Sequence, residues 1–390
     1  AAAGGTGPRE IFDGPVVATV DAGGAIEVRA AAGPGGAGAG ASGRAVRYGA
    51  GVGVELVAEG PGTGASRGAG VVRINGTPHA GFVTLLSRTG EPGRLDVVST
   101  KPIEEYLPGV LVGELLKDWP LASYEAQAVA ARTYALHERA RARRETRAWD
   151  VENTTADQVY VGSVTSARAL EATQRTRGVV VTFEGQLLRT YYHSTCGGRP
   201  GSATDVWPSG KGFEFNRAAP LRARERAHSC QLSTLYRWEV KRSVEDVSGR
   251  LRGWGHFAGN PIKDFGRFAG AEVTERNGAE RPTRFEVRDD RGRKYALSAE
   301  EFRNALNYVP RPGAPLPRGL EIAPITREIR VNSGDLEVSV WEGRVTLRGR
   351  GFGHGVGLCQ WCCKGMADQG KSWREMIALM YPGTRVVRGY

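Results

Sequence analysis

Residues 104–142 read EEYLPGVLVGELLKDWPLASYEAQAVAARTYALHERARA, and this stretch predicts two consecutive helices. Apolar residues in its first part recur at intervals of three and four, the spacing of one helix face over about 104–117. Pro120 cannot continue that helix, so a second helix is expected over about 122–142. Alanines lie on nearly every side of the second helix and let other backbones approach closely. We therefore expect this helix to be buried.

Glu114 is an acid inside the apolar pattern of the first helix, just before a turn at residues 117–120. A carboxyl half-buried among Val112, Leu115 and Trp119 should have a raised pKa, because burial disfavours its charged form. Such a group can donate a proton at neutral pH. The neighbouring acids are interpreted as exposed charges at helix ends: Glu104, Glu105 and Asp118.

The composition is that of a folded globular protein. The chain has 390 residues, 40% apolar and 24% charged, which is enough for two or three domains. The net charge of +11 predicts an anionic partner such as nucleic acid, a membrane surface or an acidic wall polymer. We disfavour nucleic acid because no motif combines aromatic and basic residues in the required way. Arginines cluster only at residues 139–147, which we interpret as a solvated helix end.

The sequence also bears on membranes and export. No run approaches the roughly 18 consecutive apolar residues of a membrane span. The first ten residues, AAAGGTGPRE, lack the basic and apolar regions of a signal peptide, so an exported protein would already have lost its signal.

Four segments of an α+β protein are predicted from the order of strand-like and helix-like patterns. They are a β-rich N-terminal module with a glycine-rich linker at 1–94, the first part of a core at 95–237, an inserted α+β lobe at 238–330, and the C-terminal part of the core at 331–390. The linker is expected at residues 31–43, after a loose leader at 1–14. A hairpin is expected at 178–192, and Ser298 with Glu301 predicts a capped helix in the lobe.

Five cysteines leave one unpaired if the others form disulfides: Cys196, Cys230, Cys359, Cys362 and Cys363. Cys196 and Cys230 each have a histidine nearby, His193 and His228 respectively. Thiolate and imidazole are ligands of structural zinc, so these four residues are a candidate zinc site. Their spacing matches no standard zinc finger. A Cys196–Cys230 disulfide and inert thiols are the alternatives.

Residues 349–357 place five glycines around His354. The segment matches neither a dinucleotide-binding turn nor a P-loop, which needs a lysine followed by serine or threonine. Glycines at these positions allow close approach of the backbone to a bulky group. His354 and Gln360 are expected to face a cleft there.

Five motifs occur in order along the chain: EEYLPGVLVGELLKDWPLASYEAQAVAARTYAL, TTADQVYVG, YYHSTCGGRPGSATDVW, GRGFGHGVGLCQWCCKGMADQG and YPGT. Together they resemble the SpoIID/LytB family of bacterial peptidoglycan-acting proteins over roughly residues 95–390. The resemblance implies a lytic transglycosylase that cleaves glycan strands, or a related non-catalytic protein that stimulates a cell-wall amidase. It also implies an extracytoplasmic location. No cofactor is expected for catalysis, although a structural zinc fits the cysteines.

The family's catalytic glutamate corresponds to Glu114. A lytic transglycosylase needs no second carboxylate, because the 6-hydroxyl of the sugar closes an anhydro ring. The resemblance assigns supporting roles in the core or along the cleft to further residues: Gln127, Arg132, Gln158, Tyr160, Ser194, Thr195, Gly197, Gly198, His354 and Gln360.

Arg132 on the buried helix is expected to pair with Asp157 or with Glu114, because an unpaired buried charge is costly. Pairing with Glu114 would lower the pKa of that acid. Two segments depart from the family pattern. CQWCCKGM stands where SQWGAKGM is usual, and Leu115-Leu116 replaces a methionine and a proline after Glu114. The first departure adds thiols near the expected cleft and favours a metal or disulfide site in which Cys359 joins Cys196 and Cys230.

Overall fold

The computed structural model describes residues 16–30, 45–56, 71–88, 91, 93–311 and 320–390. The chain divides into two compact units. The first contains the residues up to Gly109 with Tyr160–Val164, and the second contains Val110–Val159 with Thr165–Tyr390. Helices and small sheets are mixed along the chain, which confirms the α+β class. The predicted leader at 1–14 and linker at 31–43 lie outside the described residues.

The first unit is built from short antiparallel strands. They are β1 (Val16–Val20), β2 (Ile26–Ala30), β3 (Ala45–Tyr48), β4 (Val54–Leu56), β5 (Val71–Ile74), β6 (Thr77–Ala80), β7 (Phe82–Ser87) and β8 (Leu95–Thr100). Their sheets have the orders β1-β2-β3, β4-β7-β8 and β5-β6. Asn75 and Gly76 both have positive φ between β5 and β6, as a two-residue hairpin turn requires. Because β8 pairs with β7, the strands of this unit continue past the predicted boundary at residue 94.

Both predicted helices are present as α1 (Ile103–Glu114) and α2 (Leu121–Arg144). The helix α1 ends at Glu114, because the following residues close into a turn in which the Trp119 N–H donates to the Leu116 carbonyl at 3.2 Å. Every residue of α2 from Ala126 to Ala135 is buried. This confirms that α2 is enclosed by the rest of its unit.

The chain after α2 covers that helix with short elements. They are α3 (Ala167–Arg175), β9 (Val179–Phe183), β10 (Gln186–Leu187), β11 (Tyr192–His193) and α4 (Ala203–Val206). The predicted hairpin is present, and its turn residues Glu184 and Gly185 have positive φ of 50° and 78°. In the core, Val181 and Leu188 pack with Val129 of α2.

The inserted lobe has a hydrophobic core of its own. Its elements are β12 (Trp238–Ser243), α5 (Val244–Ala258), β13 (Phe268–Arg276), β14 (Pro282–Asp289), β15 (Lys294–Ser298), α6 (Ala299–Leu306), β16 (Leu336–Trp341) and β17 (Arg344–Gly349). The sheets have the orders β12-β17-β16 and β13-β14-β15. Ser298 and Glu301 form the predicted capping box of α6. Because β12 pairs with β17 along its whole length, the lobe extends past the predicted boundary at residue 330 to Gly349.

The chain then returns to the core around α2. The last elements are β18 (Leu358–Cys359), α7 (Gln360–Asp368), α8 (Trp373–Met380) and β19 (Arg385–Arg388). Strand β19 joins β9 and β10 in one sheet, and β18 pairs in parallel with β11. Among the residues described, none of the helices has both the length and the apolar composition of a membrane span.

Candidate active site

The candidate site is centred on Glu114 at the end of α1. Its Oε1 accepts hydrogen bonds from the Val159 backbone N–H at 3.1 Å and from the Tyr192 hydroxyl at 3.4 Å. Its Oε2 accepts one from Gln360 Nε2 at 3.3 Å. Within the described part of the chain, no cationic side chain forms an ion pair with Glu114. The carboxyl is therefore held by neutral donors from three separate segments.

Burial raises the pKa of Glu114 above its usual value. The half-buried carboxylate loses hydration that water would supply, which disfavours its charged form. Hydrogen bonds from Val159, Gln360 and Tyr192 act in the opposite direction, but burial is the larger effect. The expected upward shift of the pKa is confirmed. Glu114 keeps its proton to higher pH than an ordinary glutamate, and three donors stabilise the charge once the proton leaves.

A short parallel ladder brings Tyr192 and Gln360 to Glu114. Tyr192 of β11 lies opposite Leu358 of β18. The Trp361 N–H then donates to the Ser194 carbonyl at 3.0 Å, which continues the contact into the first turn of α7. Gln360 lies between these two contacts in sequence. The ladder therefore fixes the backbone position from which the Gln360 side chain extends.

Gly357 allows the ladder to close. Its φ is +70°, in the left-handed region that side chains other than glycine rarely adopt. A Cβ atom at this position would lie 2.1 Å from the Tyr191 carbonyl oxygen. The glycine-rich segment was predicted to approach a bulky group closely. At Gly357 it approaches the backbone of the chain itself.

His354 supports Tyr192 from the glycine-rich segment. Its Nδ1 accepts a hydrogen bond from the Val356 N–H at 3.0 Å, so Nε2 carries the proton and donates to the Tyr192 carbonyl at 3.0 Å. Burial lowers the pKa of His354 well below its usual value, and the neighbouring His193 lowers it further. A neutral ring with both nitrogens engaged positions the Tyr192 backbone.

The loop after β11 contains four predicted site residues with different surroundings. Thr195 is fully buried, and its Oγ1 lies 2.9 Å from Ser233 Oγ. Gly197 and Gly198 have φ of 64° and 86°, which turn the chain sharply. Ser194 is half-buried, with its Oγ 3.3 Å from Thr195 Oγ1. Thr195 therefore holds the loop in place, whereas the Ser194 side chain is the more accessible hydroxyl.

Arg132 lies in the core rather than along a cleft. It is fully buried, and its Nη1 donates to the Val179 carbonyl at 3.3 Å. The predicted pairing with Asp157 or Glu114 is wrong, because the neighbouring segment supplies acceptors for the guanidinium. Asp157 instead lies 3.8 Å from Arg189 Nη2. Among the described residues, no cation lowers the pKa of Glu114 by pairing with it.

Gln158 also lies in the core, and Tyr160 belongs to the first unit. Gln158 is fully buried, and its Nε2 donates to the Ala131 carbonyl of α2 at 3.2 Å. Like Arg132, it holds the core together. Tyr160 belongs to the first unit, where its hydroxyl accepts a hydrogen bond from Lys101 Nζ at 2.5 Å.

Four buried thiols form a cluster next to the site: Cys196, Cys230, Cys359 and Cys362. Their sulfur atoms all lie within 4.8 Å of one another. This set replaces the predicted combination of His193, Cys196, His228 and Cys230. Neither histidine belongs to the cluster: His193 Nδ1 lies 3.0 Å from the Val356 carbonyl, and His228 Nε2 lies 3.1 Å from the Tyr236 hydroxyl. The sequence had already pointed to Cys359, and the C-x-x-C spacing that it forms with Cys362, common among zinc ligands, is the signal that would have added Cys362.

Comparison with known proteins finds similarity in the region around Glu114. The profile of a family described as "Stage II sporulation protein" (SpoIID) matches residues 91–183, which include α1 and α2. Over 71% of its own length, this chain is 25% identical to the amidase enhancer of Bacillus subtilis. It is 23% identical to stage II sporulation protein D of Bacillus amyloliquefaciens over 74% of its length. The chain is thus similar to proteins of the SpoIID/LytB family, and the match to the family profile lies in the region of Glu114.

Similarity to other proteins extends beyond the SpoIID/LytB motifs. A second profile, described as a domain of unknown function (DUF8618), matches residues 221–357 and covers the inserted lobe. An uncharacterized protein of Brachyspira hyodysenteriae is 28% identical over 75% of this chain and 68% of its own length. The chain spans 40% of the length of the amidase enhancer and 75% of that of the stage II protein D.

Proposed function

We propose that this protein belongs to the SpoIID/LytB family and is a peptidoglycan lytic transglycosylase that cleaves glycan strands, preferentially those without stem peptides. The observation that carries the proposal is the half-buried Glu114 carboxyl, which has a raised pKa and which, among the described residues, accepts hydrogen bonds from three neutral donors. A carboxyl in such surroundings suits general acid catalysis near neutral pH. The family relationship supports the cell wall as the place of action.

Glu114 would act twice in one turnover. Its proton passes to the glycosidic oxygen as the bond from that oxygen to the anomeric carbon breaks. The 6-hydroxyl oxygen of the same sugar then bonds to the anomeric carbon and closes a 1,6-anhydro ring. The hydroxyl proton returns to Glu114, so no water is consumed and the acid is regenerated.

The hydrogen-bond donors suit both halves of this cycle. While Glu114 is protonated, burial favours the neutral form and holds the proton ready for transfer. After transfer, the Gln360 amide and the Tyr192 hydroxyl stabilise the carboxylate without neutralising it. Glu114 consequently remains basic enough to take the proton back. A hydrolase of the usual kind would add a second carboxylate to activate water or attack the sugar.

The remaining features of the proposal concern substrate and location. The net charge of +11 would attract the carboxylates and phosphates of wall polymers in a salt-dependent way. The protein would act outside the cytoplasm, where the wall lies. The proposed reaction requires no cofactor.

A second candidate function rests on one of the relatives. The similar protein of Bacillus subtilis is named an amidase enhancer, so this chain is alternatively a non-catalytic wall-binding protein that stimulates an amidase. The two functions differ in the chemistry that occurs on the glycan strand.

Incubation of the purified protein with peptidoglycan separates the two functions. One sample should be intact sacculi and the other glycan strands stripped of stem peptides, with products identified by mass spectrometry. New anhydro-sugar ends, more abundant from the stripped strands, are expected. Sedimentation with sacculi without any new sugar ends would reject the enzyme and favour the amidase enhancer.

A further inference from the structure

The four clustered thiols come from three segments of the second unit. Cys196 lies in the loop after β11, Cys230 lies just before the inserted lobe, and Cys359 and Cys362 flank the start of α7. Each of the four is at most 1% exposed. A free cysteine packs like a small apolar side chain, so burial by itself does not explain why four thiols from three segments meet at one point.

Two of the sulfur separations match the edges of a metal-centred tetrahedron, and all six are within 4.8 Å. Cys196 Sγ lies 3.6 Å from Cys230 Sγ and 3.7 Å from Cys362 Sγ. Zinc–sulfur bonds of about 2.3 Å at tetrahedral angles place neighbouring sulfurs about 3.8 Å apart. A disulfide would instead require about 2.05 Å, and it would leave the other two thiols of the cluster without a role.

The surroundings also suit a thiolate–metal centre. The Cys196 backbone N–H points to Cys359 Sγ at 3.2 Å, a contact that stabilises charge on a ligating sulfur. Cys359 and Cys362 have the C-x-x-C spacing that places two sulfurs on one side of a metal ion. Soft thiolates select zinc over hard cations such as magnesium or calcium.

We propose that Cys196, Cys230, Cys359 and Cys362 bind one zinc ion in a closed, four-thiolate structural site. The ion would join the loop after β11 to the start of α7. These are the two segments that present Tyr192 and Gln360 to Glu114, so the zinc would position the site without contacting substrate. Cys363 provides a matched control, since it is equally buried beside Cys362 but lies outside the cluster.

The test is the metal content of the full-length protein, measured by elemental analysis and independent of any glycan-cleaving activity. The wild type and Cys363→Ser should each contain about one zinc per chain, and Cys362→Ser should contain at least about tenfold less. Cys362→His, which restores a nitrogen ligand, should recover zinc. Zinc retained in Cys362→Ser at the wild-type level would overturn the proposed ligand set.

A second measurement on the wild type does not depend on the folding of any variant. Cobalt exchanged into the protein should give the tetrahedral ligand-field spectrum and the thiolate charge-transfer absorption of four sulfur ligands. Protein purified without metal, or with a Cys196–Cys230 disulfide found by mass spectrometry, would overturn the proposal. Iron in place of zinc would overturn the assignment of the metal.

Discussion

Replacing Gly357 by alanine should weaken the ladder that holds Tyr192 and Gln360 against Glu114. The backbone at Gly357 has φ of +70°, and the added Cβ would lie 2.1 Å from the Tyr191 carbonyl oxygen. Left-handed backbone costs an alanine about 1–2 kcal/mol. Forcing a methyl group into a closed contact costs about 1–3 kcal/mol more. Gly357→Ala should therefore lower the free energy of unfolding by about 2–5 kcal/mol.

Gly383→Ala is the matched control, because Gly383 has φ of +80° and a Cβ added there would have no atom within 4 Å. The free energy of unfolding of Gly383→Ala should fall only by the cost of the left-handed backbone, about 1–2 kcal/mol. Urea unfolding followed by tryptophan fluorescence is a suitable assay, since all eight tryptophans lie in the second unit. Equal losses in the two variants would show that the contact between Gly357 and Tyr191 does not constrain the ladder.

Three further predictions concern charge and hydrogen bonding. Because the pKa of Glu114 is raised in the folded protein, the wild type loses stability as pH rises above 4.5, the pKa of a glutamate in the unfolded chain. Glu114→Gln should therefore be the more stable protein in urea unfolding at pH 7. This gain should vanish below pH 4.5. Gln360→Met removes a donor that lowers the pKa of Glu114, so the pH profile of kcat on stripped glycan should move to higher pH while kcat falls. Arg132→Met leaves buried carbonyl groups without their donor and should lower the free energy of unfolding by about 2–4 kcal/mol. It should leave the pH profile unchanged, because Arg132 does not pair with Glu114.

The helices around Glu114 could be predicted because local patterns determine them. Apolar spacing indicated α1, Pro120 separated it from α2, and the alanines of α2 indicated burial on all sides. The end of the inserted lobe could not be found in this way. It depends on β12 pairing with β17, about a hundred residues later, and nothing in the local pattern of either strand specifies its partner.

The candidate site shows the same division between local and long-range information. The motifs identified Glu114 and Gln360, and the apolar surroundings indicated a raised pKa. They did not indicate that Tyr192 would donate to the acid, because its direction is set by the parallel pairing of β11 with β18. They also misassigned the partner of Arg132, since buried carbonyl groups of the backbone can satisfy a guanidinium and leave no trace in the sequence.

The thiol cluster was predicted only in part for a related reason. Sequence proximity favoured His193 and His228 as companions of Cys196 and Cys230. The fold brings the start of α7 to the same place, and its two thiols complete the cluster instead. Proximity along the chain is a poor guide where segments that are distant in sequence meet.

The role of Glu114 is best tested by comparing Glu114→Gln with Glu105→Gln on glycan strands stripped of stem peptides. Glu105 is an exposed acid on the same helix and serves as the matched control. Mass spectrometry should find anhydro-sugar ends with the wild type and with Glu105→Gln, and none above background with Glu114→Gln. Equal yields from all three proteins would contradict the assignment of the acid/base to Glu114.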